Sequence, residues 1–405
     1  MMNHSLRSTA IRCLSQVLSD RKPLDEVLDV AQMSLDSKEA GWLQEVVSGT
    51  LRHKARLDYW IDQLAEKKKP SGRLRKALEL ATYQIIESDR TVSEMVVNET
   101  VGWLKEEEGV PPSKFANAIL RKIVEKKEAF RNWEFPAKSN LQTKAAWASV
   151  PEWMFKAWVK DWNESWAVDY SKFSLTRPKL WVCSQSGGAE PLGERRLSDA
   201  EFIQDVSSQR LVSLVASELK RLKLSSPVLD FCAAPGGKSL GLATRGYQVV
   251  ATDEDSKSSR FQVLKENALK KGQNLVQVKA KVELVDNFFS CVWVDAPCSS
   301  SGIIGRHPDI RWNRNESSAA GFSKKQLEVV AEALRYLAPG GVLVYSVCSV
   351  FKIEGSDQEK AILELAAQKN KPLTVITRGG PDALWSGAPD GDGFQFLIFQ
   401  NTIAS

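Results

Sequence analysis

Two cysteines have the residue type and the position of catalytic nucleophiles. Cys298 follows the apolar run at residues 291–295, and Cys348 follows the apolar run at residues 342–346. Short apolar runs of this kind are typical of buried parallel strands, whose carboxyl ends meet at one edge of a sheet. The sequence therefore predicts two thiols side by side at that edge, where a thiol could attack a substrate.

A glycine turn lies upstream of both cysteines, at residues 227–238. The pattern predicts a strand, a turn at Gly236 and Gly237, and then a helix, which is how an open α/β sheet holds a nucleotide-like ligand. The ending Gly-Lys-Ser also occurs in the phosphate loops of ATPases, but such a loop needs a glycine where this chain has Cys232. An acidic residue after the next strand would bind ribose hydroxyls, and Asp253 and Asp255 are both candidates.

Four stretches of the chain resemble the Sun-type family of RNA cytosine-5 methyltransferases. They occur in the family's order, at residues 230–239 (DFCAAPGGKS), 295–302 (DAPCSSSG), 306–312 (RHPDIRW) and 345–349 (YSVCS). The resemblance continues at residues 202–209, and more weakly through residues 1–130, which are similar to the NusB-type helical domain of bacterial ribosomal RNA members. It implies S-adenosylmethionine as the cofactor and an RNA, such as ribosomal RNA, as the substrate.

The resemblance also implies roles for individual residues. The Sun-type family attacks with the cysteine after the fifth strand, so Cys348 is expected to attack cytosine carbon 6 and Cys298 to assist release. DNA cytosine methyltransferases attack with a Pro-Cys like that of Cys298, and the residues alone leave the order of the two thiols open. Asp295 is expected to bind the base, and Lys238 to be an active-site cation. The residues expected at the cofactor are Cys232, Ala233, Ala234, Pro235, Gly236, Gly237, Lys238, Asp253, Asp255 and Asp295.

The chain departs from the family pattern near the cofactor. The spacing to Arg260 and Asn267 would select Asp255 rather than Asp253 for the ribose. The family has another acidic residue after the third strand, near the adenine, but residues 277–281 contain none, and Glu283 or Asp286 would have to substitute. The stretch between residues 183 and 204 is also short for the family, which predicts a trimmed substrate-docking region.

The elements that must position these residues fall into three predicted domains. Apolar residues recur at helical spacing through residues 1–130, for example at Leu14 and Val17, and predict an all-α, NusB-like RNA-binding domain. Residues 131–200 are interpreted as a short linker and substrate-docking region, in which Trp158, Trp162 and Trp166 pack in a core. Residues 201–405 alternate strands with helices, which predicts an α/β class I methyltransferase domain with a Rossmann-like, mostly parallel sheet and an antiparallel pair near the end.

Composition narrows the class of protein. The chain has 405 residues, a net charge of +5, and no apolar run near the ~18 residues of a membrane span, so we expect a cytoplasmic protein with no membrane partner. Six scattered cysteines and only three histidines argue against a disulfide framework and a metal site. Residues 67–76 hold six cations, which could contact RNA phosphates or form a solvated helix end.

Two other functions fit parts of the sequence. The NusB-like part alone would suit a non-catalytic RNA-binding factor, but the two thiols together with Asp295 favour an enzyme. A cysteine hydrolase would need a histidine beside the thiol, and His307 is interpreted instead as positioning a loop that covers the base. We expect a monomer that binds RNA and no metal.

Overall fold

The structure is a computed structural model that describes residues 4–66, 69–88, 91–184, 188–193, 195–198, 201–225, 227–272, 274–381 and 391–403. The chain forms two compact units, one of residues 1–176 with 304–315 and one of residues 177–303 with 316–405. This division differs from the predicted boundaries at 130 and 200, because part of the tryptophan-rich segment and the returning segment 304–315 both belong to the first unit. The three predicted domains, as parts that fold independently, stay a prediction.

The first unit is helical. Its helices are α1 (His4–Leu18), α2 (Leu24–Gln32), α3 (Ser37–Ala65), α4 (Gly72–Glu87), α5 (Ser93–Glu107), α6 (Val110–Glu125), α7 (Lys127–Arg131), α8 (Leu141–Ala148), α9 (Glu152–Asp161) and α10 (Glu164–Leu175), with a short helix at Ile310–Asn313. Leu14, Val17 and Leu78 are buried in one core, so the all-α prediction is confirmed. No helix in the described ranges is long and apolar enough to cross a membrane.

The tryptophan-rich segment is packed against itself. Trp158 is fully buried, and its ring meets that of Tyr170 edge to face at 5.0 Å between centroids. Trp166 stacks on Tyr170 at 4.9 Å. The interpretation as core packing is confirmed for Trp158. The spacing of four residues between Trp158, Trp162 and Trp166 predicts one face of a single helix, and this is wrong. Helix α9 ends at Asp161, and Asn163 caps the next helix by accepting a hydrogen bond from the Trp166 backbone at 2.9 Å.

The second unit alternates strands and helices. Its strands are β1 (Trp181–Cys183), β2 (Ala189–Pro191), β3 (Phe202–Ile203), β4 (Val228–Asp230), β5 (Val249–Ala251), β6 (Val276–Val278), β7 (Phe289–Asp295), β8 (Leu337–Val347), β9 (Leu373–Gly379) and β10 (Gln395–Asn401). Its helices are α11 (Val206–Arg221), α12 (Gly237–Ala243), α13 (Ser259–Lys271), α14 (Glu316–Ala333) and α15 (Gln358–Gln368).

The main sheet has the order β6-β5-β4-β7-β8-β10-β9. The five strands β6, β5, β4, β7 and β8 are parallel, and β10 is antiparallel to both of its neighbours, β8 and β9. The predicted class I methyltransferase fold is therefore confirmed. Val228 and Trp293 point into one hydrophobic core, whereas Leu229 and Val294 point into another. Both faces of the sheet are therefore covered, as parallel strands require, and the carboxyl ends of β4, β5, β7 and β8 meet at one edge.

Candidate active site

The two cysteines expected to be catalytic lie side by side at this edge. The parallel strands β7 and β8 align Asp295 with Ser346, so the loops that follow them start at the same level. The Sγ atoms of Cys298 and Cys348 are 3.3 Å apart. A backbone hydrogen bond of 2.9 Å from Gly302 N–H to the Cys348 carbonyl also joins the two loops. The structure thus brings the predicted pair together.

A shared hydrogen bond separates the acidities of the two thiols. The hydrogen bond between the two thiols lowers the pKa of Cys348, although burial and the charge of Asp295 oppose this, and Ser300 and Lys238 lower it further. The same bond and burial raise the pKa of Cys298 well above its ordinary value. Cys348 is therefore favoured as the thiolate and Cys298 as the hydrogen-bond donor.

Asp295 is held from two sides at the end of β7. Its Oδ2 accepts a hydrogen bond from Lys238 Nζ at 2.6 Å, and its Oδ1 accepts one from Ser346 Oγ at 2.6 Å. The Trp293 indole N–H donates to Ser346 at 2.9 Å and fixes that hydroxyl. Burial disfavours the ammonium of Lys238, but the charge of Asp295 raises its pKa. A carboxylate has about four acceptor positions, so Asp295 keeps the capacity to bind a base.

The glycine turn lies between β4 and α12. Gly236 has a φ of +109°, in the left-handed region that favours glycine. The Arg260 guanidinium donates to the carbonyl of Ala234 at 2.7 Å, and the Asn267 amide donates to the carbonyl of Pro235 at 3.2 Å. Two side chains of α13 thus hold the turn in place.

Asp253, and not Asp255, lies against this turn. Asp253 follows β5, and its Oδ2 accepts a hydrogen bond from the backbone N–H of Ala234 at 3.0 Å. Asp255 is exposed, and its Oδ1 accepts from the backbone N–H of Lys257 at 3.0 Å. The geometry favours Asp253 over the residue that the spacing selected, and its contact with the ribose stays a prediction.

A buried carboxylate next to the turn fits the expected cofactor. Asp230 ends β4 and is 1% exposed. Its Oδ2 accepts from Ser239 Oγ at 2.6 Å, whereas its Oδ1 has no hydrogen-bond partner among the described residues. Burial raises the pKa of Asp230 to about 7. A buried acceptor without a donor is costly, and a ligand that carries an ammonium and a sulfonium, as S-adenosylmethionine does, would reduce that cost.

The remaining members of the turn contribute mainly backbone. The side chains of Ala233 and Ala234 lie in one hydrophobic core, and Cys232 packs against the other. Burial raises the pKa of the Cys232 thiol, and it also raises that of Cys291. Cys291 is thus a core residue, whereas Cys232 is partly buried at the edge of the core.

The acidic residue missing near the adenine has no clear replacement. Asp286 precedes β7, toward the opposite edge of the sheet, and pairs with Arg335 at 3.4 Å. Glu283 is exposed, and its carboxylate caps the short 3-10 helix to which it belongs. Lys281 follows β6 and pairs with Glu332 at 2.8 Å. The turn after β6 thus carries a lysine, paired with a glutamate of α14, where a carboxylate was expected.

Side chains of the segment 306–312 contact other residues of the helical unit. His307 Nδ1 lies 3.2 Å from Oδ2 of Asp25. Arg311 is fully buried and donates to the carbonyls of Ser149 at 3.0 Å and Ser174 at 2.7 Å. These contacts do not test the interpretation of His307 as positioning a loop that covers the base, which stays a prediction. They give the segment a structural role in the first unit.

Carboxylates of the same unit neutralise much of the basic run at 67–76. Lys67 and Lys68 lie outside the described residues. Three other cations of the run form ion pairs, namely Lys69 with Asp62 (2.8 Å), Arg73 with Glu107 (2.8 Å) and Arg75 with Asp58 (2.6 Å). Paired cations attract phosphate less than unpaired ones, so these contacts favour the helix-end interpretation over an RNA contact.

Three supporting side chains were missed by the sequence analysis. Ser346 binds Asp295, Phe394 places its ring 5.2 Å from Lys238 Nζ, and Glu354 is fully buried behind the thiol loops. Ser346 lies two residues before Cys348, so strand alternation could have placed it on the same face. No local pattern distinguishes Phe394 or Glu354.

Comparison with known proteins agrees with this architecture. Residues 205–382 match the family model described as 16S rRNA methyltransferase RsmB/F, and residues 4–125 match the NusB family. The ribosomal RNA small subunit methyltransferase B of Citrobacter koseri is 27% identical over 97% of this chain and 98% of its own length. The protein of the same name from Serratia proteamaculans is 28% identical over 97% of both chains. The crystal structure of PH0851 has a TM-score of 0.65 and 17% identity over 98% of this chain and 99% of its own, which shows a shared fold.

Proposed function

Because the chain joins a NusB-family domain to an S-adenosylmethionine-dependent methyltransferase domain of the RsmB/F family, we propose that it methylates carbon 5 of a cytosine in ribosomal RNA. The observation that carries this proposal is the pair of thiols 3.3 Å apart, beside Asp295 at the carboxyl edge of the sheet. The names of the full-length relatives support RNA of the small ribosomal subunit as the substrate. We infer a monomer that acts in the cytoplasm, with RNA also bound by the NusB-type domain.

In this proposal Cys348 is the nucleophile. Its thiolate adds to carbon 6 of the cytosine, which forms the S–C6 bond and moves the electrons of the C5–C6 double bond to carbon 5. The hydrogen bond from Cys298 and the charge of Lys238 favour that thiolate. Asp295 binds the amino group or the protonated N3 of the base and stabilises the charge that develops on the ring.

Cys298 then acts in release. When bound, S-adenosylmethionine supplies the methyl group that carbon 5 accepts. Carbon 5 still carries its proton, so Cys298 must first lose its own proton to solvent and then remove that of carbon 5. The main cause that raises the pKa of Cys298 is its hydrogen bond to Cys348. Formation of the adduct at Cys348 removes that hydrogen bond. As the C5–C6 double bond re-forms, the S–C6 bond breaks and Cys348 leaves as a thiolate.

Bisulfite sequencing of small-subunit ribosomal RNA tests the proposal. A cytosine that resists conversion in the parent strain should convert in a deletion strain, and a wild-type copy should restore resistance whereas a Cys348→Ala copy should not. Mass spectrometry of the nucleosides should show 5-methylcytidine lost with the gene. If the deletion changes no cytosine, or removes a methyl group from another atom, the proposal is wrong.

A further inference from the structure

A buried carboxylate contacts the loops of both thiols. Glu354 belongs to the short 3-10 helix Lys352–Glu354 and is fully buried. Its Oε1 accepts a hydrogen bond from the Ser299 backbone N–H at 2.7 Å. Its Oε2 accepts from the hydroxyls of Ser299 at 2.5 Å and Ser349 at 2.6 Å. Such donors offset part of the cost of burying a carboxylate, and they come from two different loops.

Each of these serines is the direct neighbour of a thiol. Ser299 follows Cys298 in the loop after β7, and Ser349 follows Cys348 in the loop after β8. One side chain therefore bridges the two loops, with the amide of Gln326 as a further donor at 3.4 Å. The bridge acts on the same two loops whose Sγ atoms are 3.3 Å apart, the distance on which their shared hydrogen bond depends.

We propose that Glu354 is a positioning residue that ties the two thiol loops together and so sets the Cys298–Cys348 pair for attack and release. Its effect on turnover rests on the proposed function, whereas its effect on the thiols can be measured without RNA. Loss of the bridge leaves the backbone bond of Gly302 to Cys348 and the contacts of Ser301 with Ser349 and Val350 to join the loops. A displacement of about 1 Å at a reacting group costs roughly a hundredfold in rate.

The test measures the acidity of Cys348 in the full-length protein. Its rate of alkylation by iodoacetamide is followed against pH by mass spectrometry of the modified peptide. In Glu354→Ala we expect the midpoint to rise by about one pH unit, because Cys348 loses an aligned hydrogen bond. We expect kcat for RNA methylation to fall roughly a hundredfold with the KM for S-adenosylmethionine unchanged. Glu354→Gln keeps one acceptor oxygen, so its alkylation midpoint and its kcat should lie between those of the wild type and those of Glu354→Ala. The other titratable groups that face the thiols are Asp295, Lys238 and Tyr345.

Glu79→Gln is the matched control for the loss of a buried carboxylate. Glu79 is 1% exposed and binds Lys54 and Arg75 within the helical unit, so its variant should leave the alkylation midpoint unchanged. If Glu354→Ala does not fold, the variant that combines Ser299→Ala with Ser349→Ala removes both hydroxyls of the bridge and should raise the midpoint in the same direction.

The outcomes separate this inference from the proposed function. An unchanged midpoint in folded Glu354→Ala, or in the double serine variant, overturns the positioning role, as does an equal rise in Glu79→Gln. If the midpoint rises as expected but the wild-type protein methylates no RNA, the proposed function fails and the positioning of the thiol pair stands.

Discussion

The two halves of the site at the carboxyl edge of the sheet are built differently. After β7 and β8, every proposed reactive group contacts another side chain of the protein. The two thiols contact each other, and Asp295 accepts a hydrogen bond from Lys238. After β4, β5 and β6, Asp230 keeps an oxygen with no partner in the described part of the chain, and the acidic residue expected near the adenine is absent from 277–281. The reaction half is preorganised by the protein, whereas the cofactor half is left for its ligand to complete. Substitutions should therefore affect rate in the first half and cofactor affinity in the second.

The largest effects are expected at the thiols. Cys348→Ala should lower methylation more than about a thousandfold without trapping RNA, because no covalent adduct can form. In Cys298→Ala, Cys348 should still attack carbon 6 and carbon 5 should still accept the methyl group, but release should be slow, so a protein–RNA complex that survives denaturation should accumulate. Transfer of labelled methyl groups and denaturing gels measure both effects.

The double variant provides the control for this pair, since it should lose the trapped complex. Trapping by Cys348→Ala with an inert Cys298→Ala would reverse the two roles. Retained activity in both single variants, with no adduct, would end the covalent mechanism.

A substitution at Asp295 tests whether the reaction half affects the rate of methylation alone. Asp295→Asn keeps the shape of the side chain but removes the charge that balances Lys238 and binds the base. We expect kcat to fall about a hundredfold to a thousandfold, the range for loss of one preorganised electrostatic contact. The KM for S-adenosylmethionine should stay within a few-fold. A large rise in that KM with kcat preserved would mean that Asp295 belongs to the cofactor half.

Asp253 tests the cofactor half. Asp253→Ala should weaken binding of S-adenosylmethionine by about 1.5–3 kcal/mol, the scale of a hydrogen bond to a charged group. Calorimetry on the free protein measures this loss without turnover. Asp255→Ala is the matched control and should bind as the wild type does, because Asp255 is exposed and its Oδ1 accepts a hydrogen bond from Lys257 N–H, whereas Asp253 accepts one from Ala234 of the turn. Loss of affinity in Asp255→Ala alone would restore the assignment that the spacing favoured.

The smallest expected effect is a gain in affinity for S-adenosylmethionine. Ala280 is exposed and lies after β6, within the stretch 277–281 where the family resemblance predicts an acidic residue. Ala280→Asp should tighten binding of S-adenosylmethionine by about 0.5–1.5 kcal/mol, the contribution of one added hydrogen bond. Val282→Asp adds the same charge at a 93% exposed position two residues further on and should leave affinity unchanged. Equal effects of the two changes would point to net charge rather than to a missing contact.

Local pattern was sufficient for the strands that end at the site and for the site cysteines. The runs at 228–230, 291–294 and 342–346 predicted β4, β7 and β8, because a strand buried on both faces needs a short continuous apolar run. The same runs located Cys298 and Cys348, since residues after neighbouring parallel strands share one edge. The order of the thiols and the choice between Asp253 and Asp255 were left open by the residues, because both depend on distances that spacing does not contain.

The sequence by itself thus determined which elements form and which reactive residue types end them, because both follow from periodicity and from neighbours along the chain. Only the tertiary structure decided that Glu354 joins the loops of Ser299 and Ser349, that carboxylates pair with the cations of the basic run, and that segment 304–315 belongs to the helical unit. The physical reason is that the charge and acidity of a side chain depend on burial and on partners remote in the chain, and folding alone brings those partners within hydrogen-bonding distance.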